Sequence, residues 1–225
     1  NGELKIRDEM LADFPRTPDE VRQHIADYYA MITHMDAQIG LLLDELDRSG
    51  DAGNTITVFA GDNGLAVGQH GLMGKQNMYE HSVHVPLVIA GPALPENGRR
   101  DGFCYLFDIF PTLCNLYGFE IPDTVDGQSL LPMIREQRPV RKHVFFAYKN
   151  IQRGYRKNDW KLIKYNVGGV QHTQLFNLAR DPHEMINLAE EPAYRETLDD
   201  LTALMQGLMH DAGDPVELSK PDWNL

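Results

Sequence analysis

The stretch Thr55–Pro92, TITVFAGDNGLAVGQHGLMGKQNMYEHSVHVPLVIAGP, constrains this chain more than any other. Two short apolar runs, Thr55–Ala60 and Val85–Ala90, flank a loop rich in glycine and polar groups. Both runs carry β-branched residues and are bounded by Gly or Pro, the pattern of buried strands. The loop holds Asp62-Asn63-Gly64 directly after the first run, then His70-Gly71, then Gly74-Lys75. Two oxygen donors, an imidazole and an ammonium thus gather just past the carboxyl end of a strand, where α/β sheets place their sites.

Each group has a chemical reading and a plain one. Asp62 and Asn63 are hard oxygen donors of the kind that Ca²⁺ or Mg²⁺ takes at roughly 2.0–2.6 Å. One carboxylate and one amide do not complete a site, so other ligands must come from elsewhere. Asp-Asn-Gly is also strong turn chemistry, because Asn and Gly tolerate positive φ. His70 suits a general acid or an anion contact, or is a surface-loop histidine. Lys75 follows Gly74, so little bulk crowds its approach to a bound group. Its ammonium suits a sulfate or phosphate oxygen as a point charge; standing alone, it would be a solvated lysine.

Taken together, the stretch resembles the sulfatase family of the alkaline phosphatase superfamily. The matching residues are Asp62-Asn63-Gly64, Gly71-Leu72-Met73-Gly74-Lys75, Tyr79-Glu80 and Val85-Pro86. The resemblance implies that Asp62 and Asn63 ligate an active-site Ca²⁺, with Mg²⁺ the alternative, and that Lys75 contacts the sulfate. His70, in a Gly-x-His-Gly pattern, looks like a substrate-side residue. His84 departs from the Arg or Lys that usually precedes Val-Pro and reads as structural.

The family's nucleophile is a formylglycine made from Cys or Ser in a Cys/Ser-x-Pro/Ala-x-Arg motif. Neither Cys104, in Phe-Cys-Tyr-Leu-Phe, nor Cys114, in Leu-Cys-Asn-Leu-Tyr, has that context. The resemblance therefore implies the C-terminal part of a sulfatase, inactive alone, with the formylglycine and the remaining metal ligands upstream. Its expected substrate is a sulfated small molecule or glycan. Periplasmic, secreted or lysosome-like export is the compartment the family suggests. A phosphate or phosphonate ester hydrolase of the same superfamily and a non-catalytic sulfatase-like module are the competing readings. A part of a longer sheet would also expose an apolar edge, which predicts a homo-oligomer or pairing with the missing portion.

Composition agrees. With 225 residues and 42% hydrophobic content the chain can bury a sizeable core. A net charge of −12 with no basic face argues against a general binder of nucleic acid or anionic membranes. No apolar run is long enough to span a bilayer. Cys104 and Cys114 read as free thiols inside apolar segments.

The expected fold class is α/β: the C-terminal part of an alkaline-phosphatase-like sheet flanked by helices over residues 1–138, then a small antiparallel sheet with a C-terminal helix over 139–225. Residues 1–16 read as a loop. Thr17-Pro18-Asp19-Glu20 is a capping box with Pro at the first helical position. Behind it Val21, Ile25, Tyr28, Tyr29, Ile32, Ile39, Leu42, Leu43 and Leu46 follow a helical period to Ser49-Gly50, with Gly40 marking close packing. His34 and Asp36 read as helix-face residues.

Phe103–Phe107 predicts a short strand, and Asp108 caps a helix over Ile109–Tyr117 closed by Gly118. Asp108-Ile109-Phe110-Pro111-Thr112-Leu113, Asp126-Gly127-Gln128-Ser129-Leu130-Leu131-Pro132 and Asp181-Pro182-His183-Glu184 with Asn187-Leu188 resemble structural segments of the family. Strands are expected at Val144–Tyr148, Gly154–Arg156, Trp160–Tyr165 and Gln174–Asn177. A last helix over about Ala193–Asp211 aims Leu198, Leu201, Leu204, Met205 and Leu208 at that sheet. Arg153, Arg156, Lys157 and His172 near the strand ends read either as solvated surface or as contacts for an anionic sugar.

Overall fold

The structure, a computed structural model, describes residues 7–223. Of the segment expected as a loop, residues 1–6 lie outside the described residues, and Arg7–Leu11 forms a 3-10 turn. Helix α1 runs Pro18–Ser49. The Thr17 half of the capping box forms: its hydroxyl accepts the Glu20 N–H at 3.3 Å, with Pro18 in the first turn. Gly50 closes the helix in the left-handed region at φ 81°, and its N–H returns to the Asp47 carbonyl. No residue of α1 is buried; Tyr29, Met31, Ile32, Met35, Leu41, Leu42 and Leu43 are exposed. Gly40 does not mark close packing, since a Cβ there would meet nothing within 4 Å.

Strands β1 (Thr57–Ala60) and β2 (Leu87–Ala90) pair antiparallel, Thr57 opposite Ala90 and Ala60 opposite Leu87. They were expected to be buried and are not: they form a sheet of only two strands, and Phe59 and Val88 stay exposed. Between them lies the short helix α2 (Glu80–Val83).

Phe103–Phe107 is not a strand. The Tyr105 N–H donates to the Asp108 carboxylate at 2.8 Å, and Leu106–Asp108 winds into a 3-10 turn that leads into α3 (Ile109–Tyr117). Asp108 is therefore not the side-chain cap of α3. Its carboxylate, fully buried, accepts the N–H groups of Tyr105 and Gln128 and pairs with Arg141. The Thr112 hydroxyl donates to the Asp108 carbonyl and accepts the Leu130 N–H, tying α3 to α4 (Leu131–Glu136).

Strands β3 (His143–Tyr148), β4 (Gln152–Lys157), β5 (Trp160–Val167) and β6 (Val170–Asn177) form an antiparallel meander in chain order, each strand at least as long as the sequence suggested. The β5–β6 hairpin closes on Gly168 and Gly169 at φ 60° and 78°, a pair of positive values that glycine adopts without strain. Helix α5 (Arg195–Asp211) follows a 3-10 turn at Pro192–Tyr194. It packs Leu198, Leu201, Met205 and Met209 against Tyr155, Leu162 and Leu175. Leu204 points away, 42% exposed, and Met209 takes the inward place.

Side chains alternate across a sheet. The face away from α5 therefore presents Gly154, Arg156, Lys161, Ile163, Gln174 and Phe176, which share register rows across β4–β6. Met78 and Tyr79, at the end of the glycine-rich loop, pack on Ile163 and Phe176 there. Arg153, on the α5 face, is not a surface residue or a sugar contact: it is buried and grips Asp214 through Nε at 2.6 Å and Nη2 at 2.8 Å. Cys104 and Cys114 are free thiols. No helix among the described residues is long and apolar enough to cross a membrane.

Candidate active-site loop

The loop from Asp62 to Glu80 leaves β1 and ends on α2. Asp62 is exposed, and its Oδ1 accepts the Asn63 N–H at 2.9 Å. The Asn63 side-chain amide donates to the Gly64 carbonyl at 2.9 Å, which leaves Asn63 Oδ1 free to ligate. Neither Asn63 nor Gly64 uses the positive φ that both residue types tolerate. Gly64 is needed for space instead: its N–H bonds the Ser82 carbonyl at 2.9 Å, and a Cβ would strike the His81 carbonyl. The two oxygen donors suit a hard cation but form half a set. Among the described residues, no group of three or more His, Cys, Asp or Glu is placed to hold a metal.

The left-handed backbone lies further on, at Val67 (φ 44°), Gly68 (φ 97°), His70 (φ 54°) and Gly71 (φ 69°). A β-branched residue with positive φ is a genuine outlier, held only where surrounding bonds over-determine it. They do so here: Gly68 N–H bonds the Leu72 carbonyl at 2.7 Å and Ala66 N–H the Gly74 carbonyl at 3.1 Å. The tight turn lays the His70 ring flat on Tyr79, with centroids 3.9 Å apart and an interplanar angle of 5°. His81 stands 5.8 Å from His70. Burial lowers the pKa of His70, against Glu184 and a hydrogen bond with the His183 backbone, which raise it. His81 is pushed down to about 4, first by burial and then by His70 and Lys161. Both imidazoles are therefore held toward the neutral form.

Lys75 is half-buried, and its ammonium has no hydrogen bond or ion pair with any described residue. Its backbone is tightly held. The N–H groups of Met73 and Gly74 donate to the Glu9 carboxylate at 3.1 and 2.6 Å, and Arg16 in turn pairs with Glu9 at 2.9 Å and bonds the Gly71 carbonyl. The loop thus offers two hard oxygens at one end, a stacked neutral imidazole in the middle and an unpaired cation beyond it.

Sequence reasoning missed the residues that hold this loop. Glu9 and Arg16 lie in a segment without periodicity, so no local signal marks them. Glu80, seen only as part of a motif, meets Arg156 Nη1 at 2.5 Å, Lys161 Nζ at 3.0 Å and His84 Nδ1 at 3.2 Å. The Glu80 N–H donates to Glu184 at 2.7 Å. The other Glu184 oxygen lies 2.8 Å from Lys161 Nζ, outside hydrogen-bonding directions, so that pair is held by charge alone. Burial raises the Glu80 pKa, but His84, Lys161 and Arg156 outweigh it and bring the carboxyl down to about 2. Arg156 is accordingly an ion-pair residue and not a solvated or sugar-facing one.

The mixed α/β architecture is shared with alkaline-phosphatase-like hydrolases of known structure. The chain belongs to the sulfatase family: the sulfatase family model matches residues 6–119, and the model for the C-terminal part of N-sulphoglucosamine sulphohydrolase matches 68–211. Arylsulfatase K of Bos taurus is 32% identical over 201 residues, covering 81% of this chain. A protein solved with its substrate D-glucosamine-2-N,6-O-disulfate superposes with a TM-score of 0.82 at 28% identity, covering 89% of this chain and 43% of that one. The phosphonate monoester hydrolase of Agrobacterium radiobacter superposes at 0.77 with 27% identity, covering 87% of this chain and 43% of that one. The chain spans 36% of the length of the bovine relative.

Proposed function

We propose that the protein of which this chain is the described part hydrolyses sulfate esters of sugars. The observation that carries this is the loop itself: paired hard oxygens at Asp62 and Asn63, and a Lys75 ammonium with no described partner, in a chain of the sulfatase family. Asp62 and Asn63 would hold a Ca²⁺, or a Mg²⁺, together with ligands from outside the described residues. A bound divalent ion there polarises ester oxygens and stabilises their developing charge. The family's formylglycine nucleophile would likewise lie outside this chain, which is therefore inactive alone.

Lys75 would meet the sulfate oxygens and neutralise charge that builds as the ester bond breaks. His70, neutral and facing the same loop, would touch the substrate as a hydrogen-bond donor or acceptor. A sulfated glucosamine is the supported substrate class, because a neighbour that superposes with a TM-score of 0.82 was solved with one. Export to a periplasmic, lysosomal or extracellular space fits that class of substrate.

In the intact enzyme, Lys75→Ala is expected to lower kcat/KM by about 10²-fold or more, as loss of a comparable electrostatic group does. Turnover near wild type would remove Lys75 from the mechanism. Asp62→Asn is expected to weaken Ca²⁺ binding by calorimetry, and unchanged affinity would refute its role as a ligand. The phosphonate hydrolase neighbour supports a second reading, in which the same loop grips a phosphonate ester. Comparing turnover of an aryl sulfate and an aryl phosphonate separates the two.

A further inference from the structure

The loop and the second sheet meet through charge, and the arrangement asks for a reason. Lys161 is fully buried between two carboxylates, Glu80 at 3.0 Å and Glu184 at 2.8 Å. A buried ammonium is costly unless paired, and apolar residues of similar size often hold a core as well. Stability alone therefore gives little reason for a lysine here. What the cluster does supply is registry. Glu80 follows Tyr79, whose ring carries His70, and it is joined to β4 and β5 residues far away in the chain.

Neighbouring bonds run in the same direction. The Tyr79 hydroxyl and the Gln174 amide of β6 exchange bonds at 3.0 and 2.9 Å. The Gln152 amide of β4 donates to the Gln76 carbonyl at 2.9 Å, one residue beyond Lys75. A Cβ on Gly154 would press within 3.3 Å of Met78, so the sheet also keeps space clear for the loop. The loop's last five residues, 76–80, are thus docked on one face of the second sheet by polar groups that fit one register only.

We infer that Glu80 and Lys161 are positioning residues: with Glu184 they form an ion triad, centred on the buried Lys161, that clamps the His70–Lys75 loop onto the second sheet and sets where its cation stands. The catalytic consequence rests on the sulfatase reading above; the clamping itself does not. Without Lys161, two carboxylates face each other and part, and the loop's anchor loosens while α5 keeps its own core. His84, exposed just past the end of α2, and Arg156 face the same Glu80 carboxylate, so they sustain a partial clamp when Lys161 is lost.

The test is Lys161→Met and Glu80→Gln in the full-length protein, read by amide hydrogen exchange and by kinetics. Exchange over residues 66–79 is expected to rise at least about tenfold in both variants, with α5 unchanged. Asp108→Asn, which loosens another buried ion pair away from the loop, is the control and should leave 66–79 protected. On a sulfate ester, kcat should fall about tenfold or more with little change in KM, because the cation is misplaced in the transition state. Unchanged exchange at 66–79 overturns the clamp. Raised exchange with undiminished kcat overturns the positioning role. A wild-type protein that turns over no sulfate ester defeats the functional reading, and the exchange result still decides the clamp. If Lys161→Met does not fold, Glu80→Gln, which keeps the side chain's shape, carries the test.

Discussion

The two ends of the chain fold on different terms. In the C-terminal part, Tyr155, Leu162, Leu175 and Met205 are each 0% exposed, closed between the four-stranded sheet and α5. In the N-terminal part, α1 buries none of its 32 residues and β1–β2 is a bare pair of strands. Both α1 and α5 are amphipathic, so the difference is not in local propensity. It lies in whether a matching apolar surface exists among the described residues. An amphipathic helix is a claim on a partner, and α1 presents that claim unmet.

Core truncation sharpens the contrast most. Leu162→Ala is expected to cost about 2–5 kcal/mol in chemical unfolding, because it opens a cavity in a closed core. Leu42→Ala on α1, at 71% exposure, should stay within about 0.5 kcal/mol. Equal losses at the two positions would show that α1 is covered in solution.

Association comes next. The chain alone is expected to scatter light as a species larger than its 25.5 kDa monomer, and Met35→Glu with Leu42→Glu should return it to the monomer. A monomer at the outset would break the comparison.

Acid is the gentlest probe, and it acts on the seam between the two parts. His81, pushed down to about 4 from an ordinary 6.5, is neutral in the fold, so its contribution is present above 6.5 and lost as pH falls toward 4. Glu80, at about 2 against 4.5, adds a second loss as pH falls from 4.5 toward 2. Stability measured by urea unfolding should therefore decline in two steps, and His81→Asn should flatten the upper one. His84 works in the opposite sense. Its pKa is raised by the hydrogen bond to Glu80, so its share is present below the ordinary value and lost as pH rises through the raised one. Being exposed, it gives the smallest effect.

Much of this was legible in the chain itself. Thr17, Pro18 and Gly50 bracket α1 because caps and stops are local chemistry. The meander was legible because alternation and turn residues repeat over a few positions, and Gly168-Gly169 closes its last hairpin. The motif residues Asp62, Asn63, His70 and Lys75 stand out for the same reason: they are neighbours in sequence. Local signals misled where a distant group decided the outcome. Phe103–Phe107 has strand composition, but the Tyr105 hydroxyl is bonded to the backbone of Phe145 and its N–H is taken by Asp108.

By itself, then, the sequence determined the family, the long helices α1 and α5, the meander and the chemical groups of the loop, since each depends on residues a few positions apart. Only the tertiary structure decided how those groups are held. Glu9 reaches Gly74, Lys161 reaches Glu80, and Arg153 finds Asp214 across long stretches of chain. Charges and hydrogen bonds act over ångströms in space and leave no period in a sequence, so only folding reveals which of them meet.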